Sequence, residues 1–95
     1  MFAVTGTWAM DGRMVERQDE MLAALVAGVI QNEGFVRGFW SQDIDDPAVN
    51  VTYIVFETLA QARTFREAVI ANAPAQADTG VQRDRLRIVE VKADA

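Results

Sequence analysis

The chain has 95 residues, a hydrophobic fraction of 51% and a formal net charge of −5 at pH 7. At this length it forms one domain, residues 1–95, with a thin core, so the high apolar fraction indicates a further surface that meets a partner. Cysteine and histidine are absent, which excludes disulfides, thiolate nucleophiles, sulfur-bound zinc and the commonest metal and haem ligand.

The acidic balance argues against a nucleic-acid partner, because phosphate neutralisation needs clustered basic residues. The one basic cluster, Arg83, Arg85 and Arg87, alternates along a strand-like segment and is interrupted by Asp84, which indicates a solvated strand edge. No signal-peptide pattern follows Met1, and the longest apolar run is about half the length that a bilayer requires. We therefore expect a cytoplasmic protein with no membrane segment.

The first half of the chain changes from strand to helix periodicity. Phe2 to Met10 alternates between large and small side chains, which predicts a strand that ends at the Asp11-Gly12 turn. From about Glu16 to Gln31 the apolar residues recur at helical spacing, and Gly34 is placed to end this helix.

Two further strands follow, joined by a polar turn. Phe35 to Gln42 is the second predicted strand, and Val49 to Glu57 is the third, with the turn at Asp43 to Pro47. In the second strand the alternation predicts one face with Phe35, Arg37 and Phe39, and the other face with Val36, Gly38 and Trp40.

The last part of the chain predicts a helix, a loop and a strand. Thr58 and Gln61 have the spacing of a capping box at the start of the helix, and Pro74 lies beyond its expected end. Residues 75–80 are predicted as a loop, and Leu86 to Lys92 as the final strand.

The predicted order is β-α-β-β-α-β, the ferredoxin-like pattern of the α+β class. It places two helices on one face of a four-stranded antiparallel sheet. The second and third strands are apolar on both faces, and each large side chain left in water forfeits about 1.5–3 kcal/mol. A second copy packed on the open face would remove this cost, so we expect a homodimer through the sheet face with a shared, barrel-like core.

The chain resembles the antibiotic-biosynthesis-monooxygenase-like proteins. The resemblance rests on the order of elements, on Gly34-Phe35 between the first helix and the second strand, and on Phe56-Glu57-Thr58 before the second helix. It implies a dimeric α+β barrel, a pocket in each subunit between sheet and helices, and activities that range from cofactor-free oxygenation of aromatic substrates to haem degradation.

The functional residues of that group mostly differ here. In that group the junction between the third strand and the second helix often reads Trp-Glu-Ser, and in this chain the aromatic position of that motif is Phe56. The haem-degrading members use a histidine that this chain lacks, and their first-strand asparagine corresponds to a position near Thr5. Haem degradation is therefore not expected, no cofactor is expected, and no catalytic residue is assigned.

Oxygenation without metal or flavin needs a substrate, such as a phenol or dihydroquinone, that itself gives an electron to oxygen. The protein then supplies an apolar slot and hydrogen bonds. Trp40 and Phe56 are candidate walls of such a slot. Candidate polar contacts are Thr5, Thr7, Asn50 and Thr52, whose parity along their strands is compatible with one common face, although the pairing register is not fixed by the sequence. The alternative is that the aromatic residues belong to the core and the threonines are simply good strand formers.

Arg37 is a candidate for binding a substrate carboxylate or enolate, or for an ion pair with Glu57, Glu90 or a partner's carboxylate. Tyr53 is either a proton donor or an interface residue, and the role of Trp8 is open in the same way. The aspartates of the turn lack the glycine and distal glutamate of a calcium loop, so no metal site is expected.

Three functions remain: a cofactor-independent monooxygenase acting on a small aromatic or quinol-type substrate, a barrel that only binds an apolar ligand, and a non-catalytic structural dimer. Whether the protein is an enzyme stays open.

Overall fold

The chain folds into a four-stranded antiparallel sheet with helices on one face, described for residues 1–95 by a computed structural model. The strands are β1 (Phe2–Met10), β2 (Phe35–Gln42), β3 (Val49–Phe56) and β4 (Val81–Glu90). The helices are α1 (Val15–Val29), α2 (Leu59–Ala71) and α3 (Ala73–Asp78). The sheet order is β2-β3-β1-β4. The predicted ferredoxin-like class and the order of its main elements are confirmed. No helix is long and apolar enough to cross a bilayer.

The central strand β1 separates two different faces of the sheet. Its even-numbered residues, including Val4 and Trp8, point towards the helices, and its odd-numbered residues point away from them. We call the second side the open face. Residues paired across an antiparallel sheet share a face. The pairing of β1 with β3 and β4, and of β3 with β2, therefore assigns the paired residues of the other three strands to one face or the other.

The core lies between the sheet and α2. Phe56 is fully buried there, with its ring centroid 5.0 Å from that of Phe65 and 6.4 Å from that of Phe35. Val29 at the end of α1 and Ala62 in α2 complete the cluster together with Val4 and Ile54 of the sheet. Burial of these side chains supplies the main stabilisation of the domain.

Two local features fix the connections between helices and strands: a capping box at the start of α2 and a glycine after α1. The predicted capping box is present: Thr58 Oγ1 accepts from the backbone N–H of Gln61, and Gln61 Oε1 accepts from that of Thr58. Gly34 has φ +80° after α1, and a side chain at this position would collide with the Gln61 amide. One glycine therefore permits both the turn into β2 and the start of α2.

The last two elements of the chain differ from expectation. Of the predicted loop 75–80, residues up to Asp78 belong instead to the short helix Ala73–Asp78, and only residues 79 and 80 form a turn. The first turn of this helix contains Pro74, a position that tolerates the missing N–H. β4 spans Val81–Glu90 rather than Leu86–Lys92. It is an edge strand whose first half is polar and exposed, so it lacks the apolar alternation by which strands are found in a sequence. The predicted solvated edge at Arg83, Arg85 and Arg87 is confirmed.

The predicted alternation of β2 is wrong at one residue. Phe35 pairs with Phe56, and Arg37 pairs with the adjacent Val55, which leaves Val36 as the extra residue of a β-bulge. Phe35 therefore shares the helix-facing side with Trp40, while Arg37 and Phe39 lie on the open face.

Gly34→Ala is expected to lower the free energy of unfolding by more than about 1 kcal/mol, because alanine is strained at positive φ and displaces the Gln61 cap. Urea unfolding at one fixed protein concentration measures the change. Gly12→Ala is the matched control, since nothing lies within 4 Å of the added carbon, and its effect should be within about 0.5 kcal/mol. Equal effects of the two substitutions would contradict this account of Gly34.

Candidate functional site

The sheet divides the candidate site residues between its two sides. Trp40, Asn50, Thr52 and Phe56 point towards the helices, as the pairing of Thr52 with Gly6 and Trp40 requires. The open face holds the other three, Thr5, Thr7 and Arg37. The expectation of one common face is therefore wrong for Thr5 and Thr7. The predicted parities of β1 and β3 are correct, but the register between these strands decides which parities meet.

Phe56 belongs to the core rather than to a slot. Its side chain is fully buried between Phe35 and Phe65, so no face of the ring is available to a ligand. The alternative given for this residue, a core role, is what the structure shows.

Trp8 joins the site through a hydrogen bond. Its indole Nε1 donates to Thr52 Oγ1 at 3.0 Å. The contact depends on Gly6 between them, where an added Cβ would lie 2.6 Å from Trp8 Nε1 and 2.8 Å from Thr52 Oγ1. The sequence signal for Trp8 was its even parity with Val4 together with the missing side chain at Gly6.

Trp40 is placed in a similar way by Gly38. A Cβ at Gly38 would lie 2.9 Å from Cη2 of Trp40, so the bare backbone lets the indole lie close against its own strand. Trp40 pairs with Thr52, and Thr52 pairs with Gly6. Trp8 therefore contacts the Thr52 hydroxyl directly, and Trp40 is the cross-strand neighbour of the same threonine on the helix-facing side.

Asn50 supplies the one polar atom of this region that is left without a partner. Its Oδ1 is buried and accepts no hydrogen bond. Asn50 pairs with Trp8 on one side and Gln42 on the other, one row beyond Thr52. An unsatisfied buried acceptor costs about 1–3 kcal/mol, and such a group in a native structure calls for an explanation.

The helices cover this half of the sheet only in part. α1 is held at its start, where Gln18 Nε2 donates to the carbonyl oxygens of Asp11 and Thr79 at 3.0 Å each, and at its end, where Val29 is buried in the core. Leu22 and Leu25 lie on the same stripe of the helix between these two points, yet they are 41% and 48% exposed. α1 therefore does not close onto the sheet along its middle.

We call this region the cleft: the half-covered space beside α1 with Trp8, Trp40, Asn50 and Thr52 as its floor. Trp40, Asn50 and Thr52 are half-buried. The floor offers the half-buried indole of Trp40, one hydroxyl and one amide, whereas Trp8 is only 9% exposed. It contains no side chain that ionises near neutral pH, since Glu, Asp and Lys do not occur among these residues.

Two depressions in the surface lie elsewhere. One of about 280 Å³ lies at the end of the open face beside β4, and one of about 480 Å³ lies at the start of α1. Neither is lined by Trp40, Asn50 or Thr52. The first accompanies a β-bulge at which Asp84 has no partner in β1.

The remaining candidates lie outside the cleft. Arg37 is exposed on the open face and makes no ion pair within the chain, so the expected pairing with Glu57 or Glu90 is wrong; Glu90 instead contacts Lys92 at 3.4 Å. Tyr53 is 36% exposed on the same face. In the turn after β2, Asp43 Oδ1 accepts the backbone N–H groups of residues 45 and 46.

The other ion pair closes the turn between β1 and α1. The guanidinium of Arg13 donates to both carboxylate oxygens of Asp11 at 2.8 and 3.0 Å, and its backbone N–H donates at 3.0 Å. These hydrogen bonds lower the pKa of Asp11 to about 2. The role of this pair is to cap the turn from which Gln18 holds α1.

Asn50→Leu is expected to leave the free energy of unfolding unchanged or to raise it by about 1 kcal/mol, because a buried acceptor without a partner is replaced by an apolar group of similar size. Thermal or urea unfolding measures this. Thr52→Val is the comparison, since it removes the acceptor of the Trp8 indole and should lower stability by about 1 kcal/mol. A clear loss of stability in Asn50→Leu would show that Oδ1 has a partner after all.

The fold has close counterparts among solved structures. A proposed antibiotic biosynthesis monooxygenase from Deinococcus radiodurans superposes with a TM-score of 0.82 at 15% identity, over 100% of this chain and 96% of that one. SnoaB, a cofactor-independent oxygenase from Streptomyces nogalater, gives a TM-score of 0.76 at 15% identity, over 98% and 94% of the two chains.

A proposed antibiotic biosynthesis monooxygenase from Nitrosomonas europaea gives a TM-score of 0.76 at 20% identity, over 98% of this chain and 100% of that one. No family model matches the sequence, and no curated protein does. At these identities the likeness concerns the fold. The chain has the fold of the antibiotic-biosynthesis-monooxygenase-like proteins, as its sequence had suggested.

Proposed function

We propose that the protein binds a small planar aromatic molecule in the cleft and oxygenates it without a cofactor. The observation that carries the proposal is the buried, unpartnered Asn50 Oδ1, which lies in the strand row of Trp8 and one row from Trp40 on the same face of the sheet. Because Oδ1 is buried, the Asn50 side chain must turn towards the cleft on binding. A ligand that then stacks on the Trp40 indole and offers a hydroxyl to Asn50 would satisfy the orphan acceptor and cover apolar surface at the same time.

The chemistry of the floor suits a phenol. The amide of Asn50 can accept a hydrogen bond from a phenol through its oxygen and donate one to a phenolate through its nitrogen. A hydrogen bond to the anionic form favours it, and an electron-rich phenolate can pass an electron to dioxygen. A structural counterpart, SnoaB, is a cofactor-independent oxygenase, which supports the same class of reaction here.

The reaction can be written for 1-naphthol as a probe. A C–O bond forms between dioxygen and the ring carbon opposite the hydroxyl, and the O–O bond then breaks. The ring carbon and the phenol each lose a hydrogen, so one naphthol and one dioxygen yield one 1,4-naphthoquinone and one water. In this scheme the protein orients the ring, excludes water and holds the phenol oxygen at Asn50; the substrate supplies the electrons.

The alternative is a cleft that binds an aromatic ligand and does no chemistry. It is favoured by the absence of an ionisable side chain among Trp8, Trp40, Asn50 and Thr52, because the first proton must then leave to water or to another part of the ligand.

We further propose that the protein works as a homodimer through the open face. Phe39 is 58% exposed there, Val51 is 44% exposed and Tyr53 is 36% exposed. Adjacent apolar side chains on one flat surface mark an interaction site, and a second copy of the same face would cover them.

Binding should be visible in tryptophan fluorescence, since the only two tryptophans of the chain are Trp8 and Trp40. Titration with 1-naphthol is expected to quench the emission, and Asn50→Leu should weaken the affinity by about ten-fold, the equivalent of one lost hydrogen bond. Thr64→Val, on the exposed side of α2, is the control that should retain the affinity.

Oxygenation is tested with the same probe under labelled dioxygen. The expected result is oxygen uptake in excess of the rate without protein, with one labelled atom in the naphthoquinone and a lower rate for Asn50→Leu. Binding without uptake, for 1-naphthol and for dihydroquinones alike, would leave the ligand-binding alternative. No binding of any of them would refute the site.

A further inference from the structure

The hydroxyl of Thr52 has a fixed role in its hydrogen bond with Trp8. Its Oγ1 accepts the indole N–H of Trp8 at 3.0 Å, and no group of the protein accepts the Thr52 hydroxyl proton. An indole nitrogen can only donate, whereas a hydroxyl both donates and accepts. Trp8 therefore makes Thr52 the acceptor of their bond and leaves its proton for another partner. A hydroxyl that already accepts one hydrogen bond is also a stronger donor.

Gly6 builds this contact into the sheet. It is the cross-strand partner of Thr52, and a Cβ there would lie 2.6 Å from Trp8 Nε1 and 2.8 Å from Thr52 Oγ1. Any side chain at this position would therefore push the indole and the hydroxyl apart. Trp8 is almost fully buried, so water has little access to compete for its N–H. The bond between Trp8 and Thr52 is consequently in place before a ligand arrives.

Asn50 and Thr52 form a pair with opposite requirements. They are alternate residues of β3 and share its helix-facing side, about 7 Å apart along the strand. The next residues on this side, Ile54 and Phe56, are apolar and buried, so Asn50 and Thr52 are the polar side chains that β3 presents to the cleft. Asn50 Oδ1 lacks a donor, and the Thr52 hydroxyl lacks an acceptor.

We propose that Thr52 donates a hydrogen bond to the ligand, and that Trp8 positions it to do so. The ligand is then an aromatic molecule with a hydroxyl on one edge, which Asn50 accepts, and an acceptor such as a carbonyl oxygen or a ring nitrogen on the opposite edge. The proposal rests on the binding site proposed above and narrows the class of its ligand. A ligand without the second atom would cover the Thr52 proton and leave it unsatisfied, which weakens binding.

The acceptor atom of the ligand is uncharged. None of the side chains of the cleft floor, Trp8, Trp40, Asn50 and Thr52, carries a charge. A carboxylate or phosphate there would lose its water without gaining an ion pair. Arg83 lies in the row of Asn50, but it is beyond Trp8 on the edge strand β4 and is exposed. A neutral nitrogen or carbonyl oxygen can accept from Thr52 without this loss.

Three probes of nearly equal size and shape separate the two hydrogen bonds. 5-Hydroxyquinoline has a hydroxyl and, on the opposite edge, a ring nitrogen that accepts. 1-Naphthol has a C–H group in place of that nitrogen, and quinoline lacks the hydroxyl. Isothermal titration calorimetry, at a pH where the nitrogen is unprotonated, gives the dissociation constant of each probe. The ratio of two dissociation constants is compared between protein variants, because the hydration of each free probe is the same in every experiment.

Substitutions of Thr52 and Trp8 test the donor and its orientation. Thr52→Val should lower the affinity for 5-hydroxyquinoline relative to 1-naphthol about five-fold, the equivalent of one hydrogen bond, whereas Thr52→Ser keeps the hydroxyl and should keep the ratio. Trp8→Phe removes only the N–H that orients Thr52, so the ratio should fall about two-fold. A purely structural role of Trp8 would weaken both probes alike. Thr64→Val, on the exposed side of α2, is the matched control and should keep the ratio.

Asn50→Leu tests the other end of the ligand. It should lower the affinity for 5-hydroxyquinoline relative to quinoline about five-fold. The ratio of 5-hydroxyquinoline to 1-naphthol should stay constant in this variant, because both probes lose the same hydrogen bond from their hydroxyl.

The outcomes separate this proposal from the one on which it rests. If neither 1-naphthol nor 5-hydroxyquinoline binds, the proposed site fails and this inference with it. If both bind and Thr52→Val leaves their ratio unchanged, the site stands and the donor role of Thr52 is wrong. An unchanged ratio in Trp8→Phe would refute the positioning role of Trp8.

A crystal structure of the unmodified protein with 5-hydroxyquinoline needs no variant. The ring nitrogen is expected within hydrogen-bond distance of Thr52 Oγ1, with the hydroxyl at Asn50. A ring nitrogen that faces solvent would overturn the proposal.

Discussion

The central strand β1 must present two different surfaces at once, and the rest of the structure depends on how it does so. Because side chains alternate across a strand, its large residues go to the helices and its small ones to the open face. Because β1 pairs with β3 on one side and β4 on the other, the residues of these two strands are assigned to the same two faces. A shift of one residue in either pairing would exchange the two faces.

The helix-facing side is itself divided. Around Phe56 the side chains are closely packed under α2, whereas around Asn50 the sheet carries an amide oxygen without a partner and α1 leaves Leu22 and Leu25 exposed. The oxygen without a partner and the two exposed leucines both lower the stability of the free protein. Such costs are expected where a ligand, and not the protein, completes the surface.

Much of this fold could be predicted from the sequence because the signals were local. Strand alternation in β1, helical spacing before Gly34 and the Thr58–Gln61 capping box each depend on a few neighbouring residues. The errors arose where distant pairing decides. The bulge at Val36 reverses the side of Phe35, the register of β1 with β3 separates Thr5 from Thr52, and the polar edge strand β4 is defined by its hydrogen bonds to β1 rather than by its own pattern.

The central claim is that the two sides of the sheet have separate tasks, a ligand on the helix-facing side and a second copy on the open face. A crystal structure of the protein with 1-naphthol tests it most directly. The expected structure has the naphthol ring beside Trp40, its hydroxyl at Asn50 Oδ1, and a partner subunit over Tyr53. A naphthol bound on the open face, between Tyr53 and the hydroxyl of Thr5, would contradict it.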